Sequence, residues 1–154
     1  MASGGKHRAE QFRTAYYARR KLQGERLYYG ESDYFTDETG RRVGVTWSAQ
    51  GEDGKWFLNL MKGKFEEAVL LCQIRSDTSV AVRLPTEFMN RYWHSFSIDK
   101  NDEMKFHIGK ERGIWNITLL KPIGPVEISE FVEKEPVVVQ ETDAVYFSAG
   151  TTYA

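Results

Sequence analysis

Glu103 and Lys105 form the pattern in this sequence that best fits catalysis, because one residue separates them on a stretch whose alternation predicts a β-strand. Many metal-dependent nucleases use a Glu-x-Lys strand and an upstream acid to hold magnesium and to position water. Asp77 and Asp99 are the candidates for that acid. Alternating charges on the solvated face of a strand give the same pattern. A metal-dependent nuclease with an acid cluster near Glu103 is therefore one alternative function.

Other enzyme patterns are missing from the sequence. It contains no nucleophile elbow, no phosphate-binding loop and no dinucleotide fingerprint. The histidines His7, His94 and His107 lack the spacing of metal ligands, and Cys72 is the single cysteine. The leading expectation is therefore a protein with no catalytic residues, no cofactor and no metal site.

Aromatic and basic residues interleave between residues 13 and 41. Such a mixture can stack on nucleobases while it neutralises phosphates. The candidate cations on the N-terminal stretch are Arg13, Arg19, Arg20 and Lys21. The alternative is that these rings cover the core of the domain, where most aromatic side chains lie.

Charge is segregated along the chain, although the net charge is only −1. Residues 1–26 contain seven Lys or Arg and two acidic residues, so this segment carries +5 and the rest of the chain carries −6. The overall charge argues against a uniformly basic nucleic-acid binder, whereas the basic segment could bind a polyanion. It could equally lie against the protein's own acidic segment, residues 127–143.

The sequence has no run of about 18 apolar residues, and its N-terminus lacks the apolar region of a signal peptide. Cys72 lies in an apolar run, where a buried thiol packs as a small hydrophobic group. We therefore expect a cytoplasmic protein that does not contact a membrane.

The elements that must position these residues are mostly strands. Good helix formers without Gly or Pro predict a helix over residues 8–23, and turn formers predict irregular chain over residues 28–40. Alternation on both sides of an Asp-Gly turn predicts a β-hairpin from residues 43–47 and 55–61. Further strands are expected at residues 67–75, 79–84, 103–108, 113–120, 137–139 and 145–147.

A short helix is expected to interrupt the strands after Pro85, where Phe88, Met89, Tyr92 and Trp93 fall on one helical face. The predicted fold class is therefore α+β, mostly β, with an open barrel-like domain, a helical N-terminal segment and one short internal helix. We divide the chain into a basic segment and its connection, residues 1–40, packed on a β-rich domain, residues 41–154.

The order of several short motifs carries a family resemblance. The motifs are residues 64–68 (KFEEA), 80–93 (VAVRLPTEFMNRYW), 112–117 (RGIWNI), 131–135 (FVEKE) and 143–147 (DAVYF). In this order they resemble the plant-type B-three DNA-binding domain. That family has an open β-pseudobarrel fold and occurs in plant transcription factors and in the recognition domains of certain bacterial restriction enzymes.

The resemblance implies two DNA-contacting arms that flank the barrel and enter the major groove. On this chain the implied contacts are Arg75 and Arg83 for one arm and Lys110 and Arg112 for the other. The planar fork of arginine can pair with two acceptors on a base edge. Each of these cations could instead be a solvated charge at a strand edge.

We therefore expect a nucleic-acid-binding module, with DNA favoured over RNA, that has no catalytic activity of its own. The alternatives are the nuclease described above and a protein-interaction or inhibitor domain whose acidic C-terminal region contacts a protein partner.

Overall fold

A computed structural model describes residues 2–20 and 33–140 of the chain. In chain order the elements are α1 (Ala2–Arg20), β1 (Asp33–Thr36), β2 (Arg42–Ser48), β3 (Trp56–Met61), β4 (Glu67–Arg75), β5 (Thr78–Leu84), α2 (Thr86–Tyr92), a 3-10 turn (Trp93–Ser95), β6 (Glu103–Glu111), β7 (Ile114–Thr118), β8 (Pro125–Glu127), a second 3-10 turn (Ser129–Phe131) and β9 (Val137–Val138). Lys21 and the strand predicted at residues 145–147 lie outside the described residues.

The strands form two sheets that curl into a half-barrel. One sheet has the order β1-β2-β4-β5-β9, and the other has the order β3-β6-β7-β8. Strands β2 and β4 run parallel, with Val45 opposite Val69, and the other neighbours are antiparallel. Together with α1 and α2, this architecture confirms the predicted class, mostly β and barrel-like with two helices.

The main core lies between the two sheets. Alternate residues of β3 and β6 point inward, so that Trp56, Leu58 and Phe106 are buried while their neighbours face solvent. The short helix α2 begins after Pro85, as predicted, and its buried Phe88 and Met89 pack on the same core.

Helix α1 covers the opposite face of the five-stranded sheet. Its buried residues Ala9, Phe12 and Tyr16 recur at spacings of three and four, which places them on one helical face. They pack in one cluster with Val45 and Val69 of the sheet. Because the sheet is covered on both faces, β2 and β4 are buried almost continuously instead of alternately. Among the described helices, none combines the length and the apolar character needed to span a membrane.

The predicted hairpin between residues 43–47 and 55–61 is wrong. A turn at residues 51–55 reverses the chain, but β2 and β3 enter different sheets. The reason is that β1 and β4 already occupy the two edges of β2, so β3 pairs with β6 instead. The β6–β7 pair is a tight hairpin, and its two turn residues, Arg112 and Gly113, both have positive φ.

The irregular chain predicted at residues 28–40 needs a second correction, because residues 33–36 form β1 on the edge of β2. The sequence signal there was weak, since Asp33 is a poor strand former. Its burial depends on Arg13, which arrives from α1 and lies 3.2 Å from the Asp33 carboxylate.

At Gly44 the backbone of β2 lies close to Leu60 of the other sheet and to Phe65 of the loop after β3. A Cβ atom at Gly44 would lie 3.0 Å from Leu60 Cδ2 and 3.1 Å from Phe65 Cβ. We expect Gly44→Ala to lower the free energy of unfolding by about 1–3 kcal/mol through overpacking. Denaturant titration checks this result, with Gly109→Ala as the control, because a Cβ there meets only two side-chain atoms, Asn116 Oδ1 at 3.3 Å and Lys55 Cγ at 4.0 Å. Equal stability of the two variants would contradict the close approach.

Candidate functional site

The predicted nucleic-acid contact Arg13 is buried in the protein. Its guanidinium is 4% exposed, and its Nε lies 3.2 Å from Oδ2 of the fully buried Asp33. The hydroxyl of Tyr17 donates a hydrogen bond to the same carboxylate. Arg13 therefore holds α1 against β1 and presents no exposed charge to a phosphate.

Arg20 and Arg83 share one buried carboxylate. Arg20 Nη1 lies 3.1 Å, and Arg83 Nε 2.6 Å, from Oε2 of Glu67, whose side chain is 1% exposed. Glu67 begins β4, Arg20 ends α1 and Arg83 lies near the end of β5. The shared carboxylate thus connects three elements, and both cations are engaged within the protein.

Arg19 lies against the acidic C-terminal segment. Its Nη2 is 2.8 Å from Oε1 of Glu133, and its Nη1 donates to the backbone carbonyls of Glu135 (2.7 Å) and Pro136 (3.1 Å). Tyr16 donates a hydrogen bond to the same Glu133 carboxylate at 2.9 Å. Of the two roles considered for the basic segment, contact with the protein's own acidic residues is therefore confirmed for Arg19.

The aromatic residues near the N-terminus belong largely to the core. Tyr16, Tyr17, Tyr34 and Phe35 are all buried, as the alternative interpretation predicted. Burial raises the pKa of the Tyr16 hydroxyl, although the nearby Arg20 opposes this shift. These rings are therefore not available for base stacking.

The predicted cations Arg75 and Lys110 both lie near one end of the half-barrel. Trp56 and Trp115 stack there with ring centroids 5.0 Å apart, and Trp56 Nε1 donates to the carbonyl of Gln73, 2.8 Å away. Arg75 follows two residues later on β4. Lys110 is paired with Trp115 in the β6–β7 ladder, and its ammonium lies 5.4 Å from the centroid of that ring.

Two further cations lie at the same end. Arg112 forms the tip of the β6–β7 hairpin with a φ of 54°. Lys55 precedes β3, and its Cγ lies 4.0 Å from the position of a Cβ on Gly109. Sequence reasoning missed Lys55, although its place directly after the Gly54 turn was a usable signal. We call this end of the half-barrel, which contains the two stacked rings and four cations, the tryptophan end; the cations are Lys55, Arg75, Lys110 and Arg112.

The four cations of the tryptophan end are exposed and, within residues 2–20 and 33–140, none forms an ion pair. Four acidic residues lie at the same end, namely Glu52, Asp53, Asp77 and Glu111, and two of their carboxylates are engaged in local turns. Asp53 Oδ1 accepts the backbone N–H of Lys55 at 3.0 Å, and Asp77 Oδ1 accepts the Thr78 hydroxyl at 2.8 Å. Arg83 does not join this group, because it lies at the opposite end of β5 from Thr78.

The acids considered for a nuclease site are only partly brought together. Lys105 Nζ lies 3.1 Å from Asp99 Oδ2 and 3.3 Å from Glu103 Oε1, so the ammonium bridges both carboxylates. A backbone hydrogen bond from Glu103 lowers the pKa of Asp99, and the contact with Lys105 acts in the same direction. Asp77 lies at the other end of the half-barrel. In the described part of the chain, no group of three His, Cys, Asp or Glu residues is arranged to hold a metal ion.

The outer face of the four-stranded sheet carries a feature that sequence reasoning did not single out. Phe57 is 54% exposed, and its ring packs edge-on against His107 with centroids 4.4 Å apart. Burial lowers the pKa of His107, and the charges of Lys105 and Lys55 lower it further. The imidazole is therefore biased towards its neutral form.

Comparisons with known proteins identify no relative: no family model, no curated protein and no solved structure matches the chain. The resemblance to the B-three family therefore stays a prediction, and the geometry of the tryptophan end carries the functional argument.

Proposed function

We propose that this chain is a cytoplasmic nucleic-acid-binding module, with DNA as the favoured ligand, that has no catalytic activity of its own. The observation that supports this proposal is that four exposed cations lie at the tryptophan end and form no ion pair among the described residues. Cations of this kind bind phosphates by releasing condensed counterions. The other arginines of the predicted interface form ion pairs with carboxylates of the protein, so we do not include them in the proposed phosphate contacts. They are Arg13, Arg19, Arg20 and Arg83.

The hairpin geometry favours contact with a groove of duplex DNA. A two-stranded β-ribbon fits the major groove, and the tip of the β6–β7 hairpin, residues 110–114, extends past the strands that flank it, with Arg112 at its apex. A planar guanidinium in that position can pair with a phosphate or with the edge of a guanine. The resemblance to the B-three family, in which two arms enter the major groove, points to the same type of contact.

A charge variant of the tryptophan end tests the proposal. It carries glutamine in place of Lys55, Arg75, Lys110 and Arg112. Because each phosphate contact contributes about −0.9 to the slope of log affinity against log salt, we expect the variant to flatten this slope by up to about 3.6. The measurement is duplex-DNA binding at several salt concentrations, with the unfolding midpoint of each protein determined in parallel.

The matched control carries the same charge change at four exposed cations away from the tryptophan end. These are Lys62, Arg91, Lys100 and Lys134. The control is expected to keep the salt dependence of the unaltered protein. If both variants flattened the salt-dependence slope equally, the interface would not be localised at the tryptophan end. Absence of binding to any nucleic acid at about 50 mM salt would favour the protein-interaction alternative, and magnesium-dependent cleavage of the DNA would favour the nuclease.

A further inference from the structure

The outer face of the four-stranded sheet has a polar groove that begins at the tryptophan end. In the ladder, Gly109 lies opposite Asn116, and His107 lies between Phe57 and Thr118. The groove has a volume of about 420 Å³ and runs over Gly109 from Lys55 towards the loop after β7. Its floor and walls include His107, Gly109, Asn116 and Thr118, together with Ser97 and Leu120, and the carboxyl group of Asp53 lies beside Lys55 at its edge.

Gly109 keeps the floor of this groove open. Its backbone does not adopt the left-handed conformation that favours glycine, so the turn geometry does not require a glycine at this position. A Cβ atom there would lie 3.3 Å from Oδ1 of Asn116 and 4.0 Å from Cγ of Lys55. A larger side chain would therefore fill the space between Asn116 and Lys55.

The polar groups of the groove are available to a ligand. Among the described residues, the side chains of Ser97, Asn116 and Thr118 have no hydrogen-bond partner. The Asn116 amide offers both donors and an acceptor, and a neutral His107 offers one of each. This set can pair with the edge of a nucleobase, which also combines donors and acceptors.

Phe57 supplies a stacking surface next to the groove. Its ring is 54% exposed, and the ammonium of Lys105 lies 5.9 Å from its centroid. Phe57 and Gly109 lie on adjacent strands, offset by two residues, so their Cα atoms are about 8 Å apart. An extended dinucleotide can span this distance. A base in a duplex cannot use such a surface, because its faces are stacked and its pairing edge is occupied.

From this geometry we propose that the outer sheet face binds a short single-stranded segment of nucleic acid, with one base stacked on Phe57 and the next base in the groove over Gly109. The proposal rests on the proposed nucleic-acid-binding function and adds the class of ligand. Lys55 connects the two surfaces, because it is both a cation of the tryptophan end and a wall of the groove. A strand that enters the groove therefore meets a positive charge for its phosphate.

Two variants test this site. Phe57→Ala removes the stacking surface, and Gly109→Val fills the groove; Val138→Ala, an exposed apolar residue of the other sheet, is the matched control. The probes are a fluorescent single-stranded oligothymidylate and a blunt, fully paired duplex of the same length. We expect both site variants to weaken single-strand binding by about 5- to 150-fold, the range for one lost base stack. The duplex affinity of Phe57→Ala, and both affinities of Val138→Ala, should change by less than about twofold.

Other outcomes separate the two proposals. Single-strand affinities of both site variants within about twofold of the unaltered protein would overturn the single-strand site, while duplex binding that depends on the tryptophan end would leave the proposed function standing. No binding of either probe by the unaltered protein would overturn both. If Gly109→Val does not fold, as judged by circular dichroism, Asn116→Ala replaces it and is expected to weaken single-strand binding.

Discussion

Replacement of Phe12 by alanine is expected to lower the free energy of unfolding by about 3–5 kcal/mol, the cost of deleting a buried aromatic ring. Phe12 is fully buried and stacks on Trp47, with ring centroids 6.1 Å apart. It packs in the same cluster as Val45 and Val69, on the sheet face that only α1 covers among the described elements. Loss of the ring leaves a cavity that a sheet fixed on its other face cannot close.

Denaturant titration followed by tryptophan fluorescence measures this effect. Phe57→Ala is the matched control, because it deletes the same ring from an exposed position and should change stability by no more than about 0.5 kcal/mol. If Phe12→Ala were equally mild, α1 would not be docked on the sheet in solution. In that case the basic N-terminal segment would be free to act as an arm for polyanions.

Arg13→Met is expected to lower the free energy of unfolding by about 3–5 kcal/mol, because it removes one partner of a buried ion pair. Arg13 and Asp33 are 4% and 0% exposed, so the remaining carboxylate cannot regain its hydration without moving β1. Adding Asp33→Asn should recover most of the loss, since the double variant no longer buries a charge without its guanidinium partner.

The control is Arg42→Met, which removes the surface ion pair between Arg42 and Glu66 and is measured by the same denaturant titration. Arg42 and Glu66 are 52% and 41% exposed, and such pairs contribute about 0–1 kcal/mol. Nucleic-acid binding should be measured on all of these proteins. A stability of Arg13→Met within about 1 kcal/mol of the unaltered protein, together with weaker DNA binding, would show that Arg13 is an accessible phosphate contact after all.

The segregated charges of the chain are used for contacts within the protein. The basic N-terminal segment and the acidic remainder attract each other, and three arginines of α1 pair with carboxylates on other elements of the protein. A polyanion would have to displace Glu67 from Arg20 or Glu133 from Arg19 before it could bind there. The cations of the tryptophan end form no ion pair within the described residues, although Asp53 and Glu111 lie beside them, so nucleic-acid binding is expected at that end and not on α1.

Local sequence patterns were sufficient to predict most of the elements. Alternation of side chains identified β3, β6 and β7, because one face of each strand is buried and the other is solvated. Pro85 marked the start of α2 by its restricted φ. The uneven charge distribution left two roles open for the basic segment, and contact with the protein's own acidic segment is the one that Arg19 and Glu133 show.

Only the tertiary structure decided which strands pair and which cations remain unpaired. The turn before β3 looked like a hairpin, but the sequence does not show that β1 and β4 occupy both edges of β2. Arg83 and Arg112 were equivalent candidates in the sequence, yet one meets the buried Glu67 and the other lies exposed at a hairpin tip. An ion pair depends on chain segments that meet in space, and Arg19 and Glu133 are 114 residues apart. Such contacts leave no periodicity in the sequence, so the location of the candidate site follows from the fold.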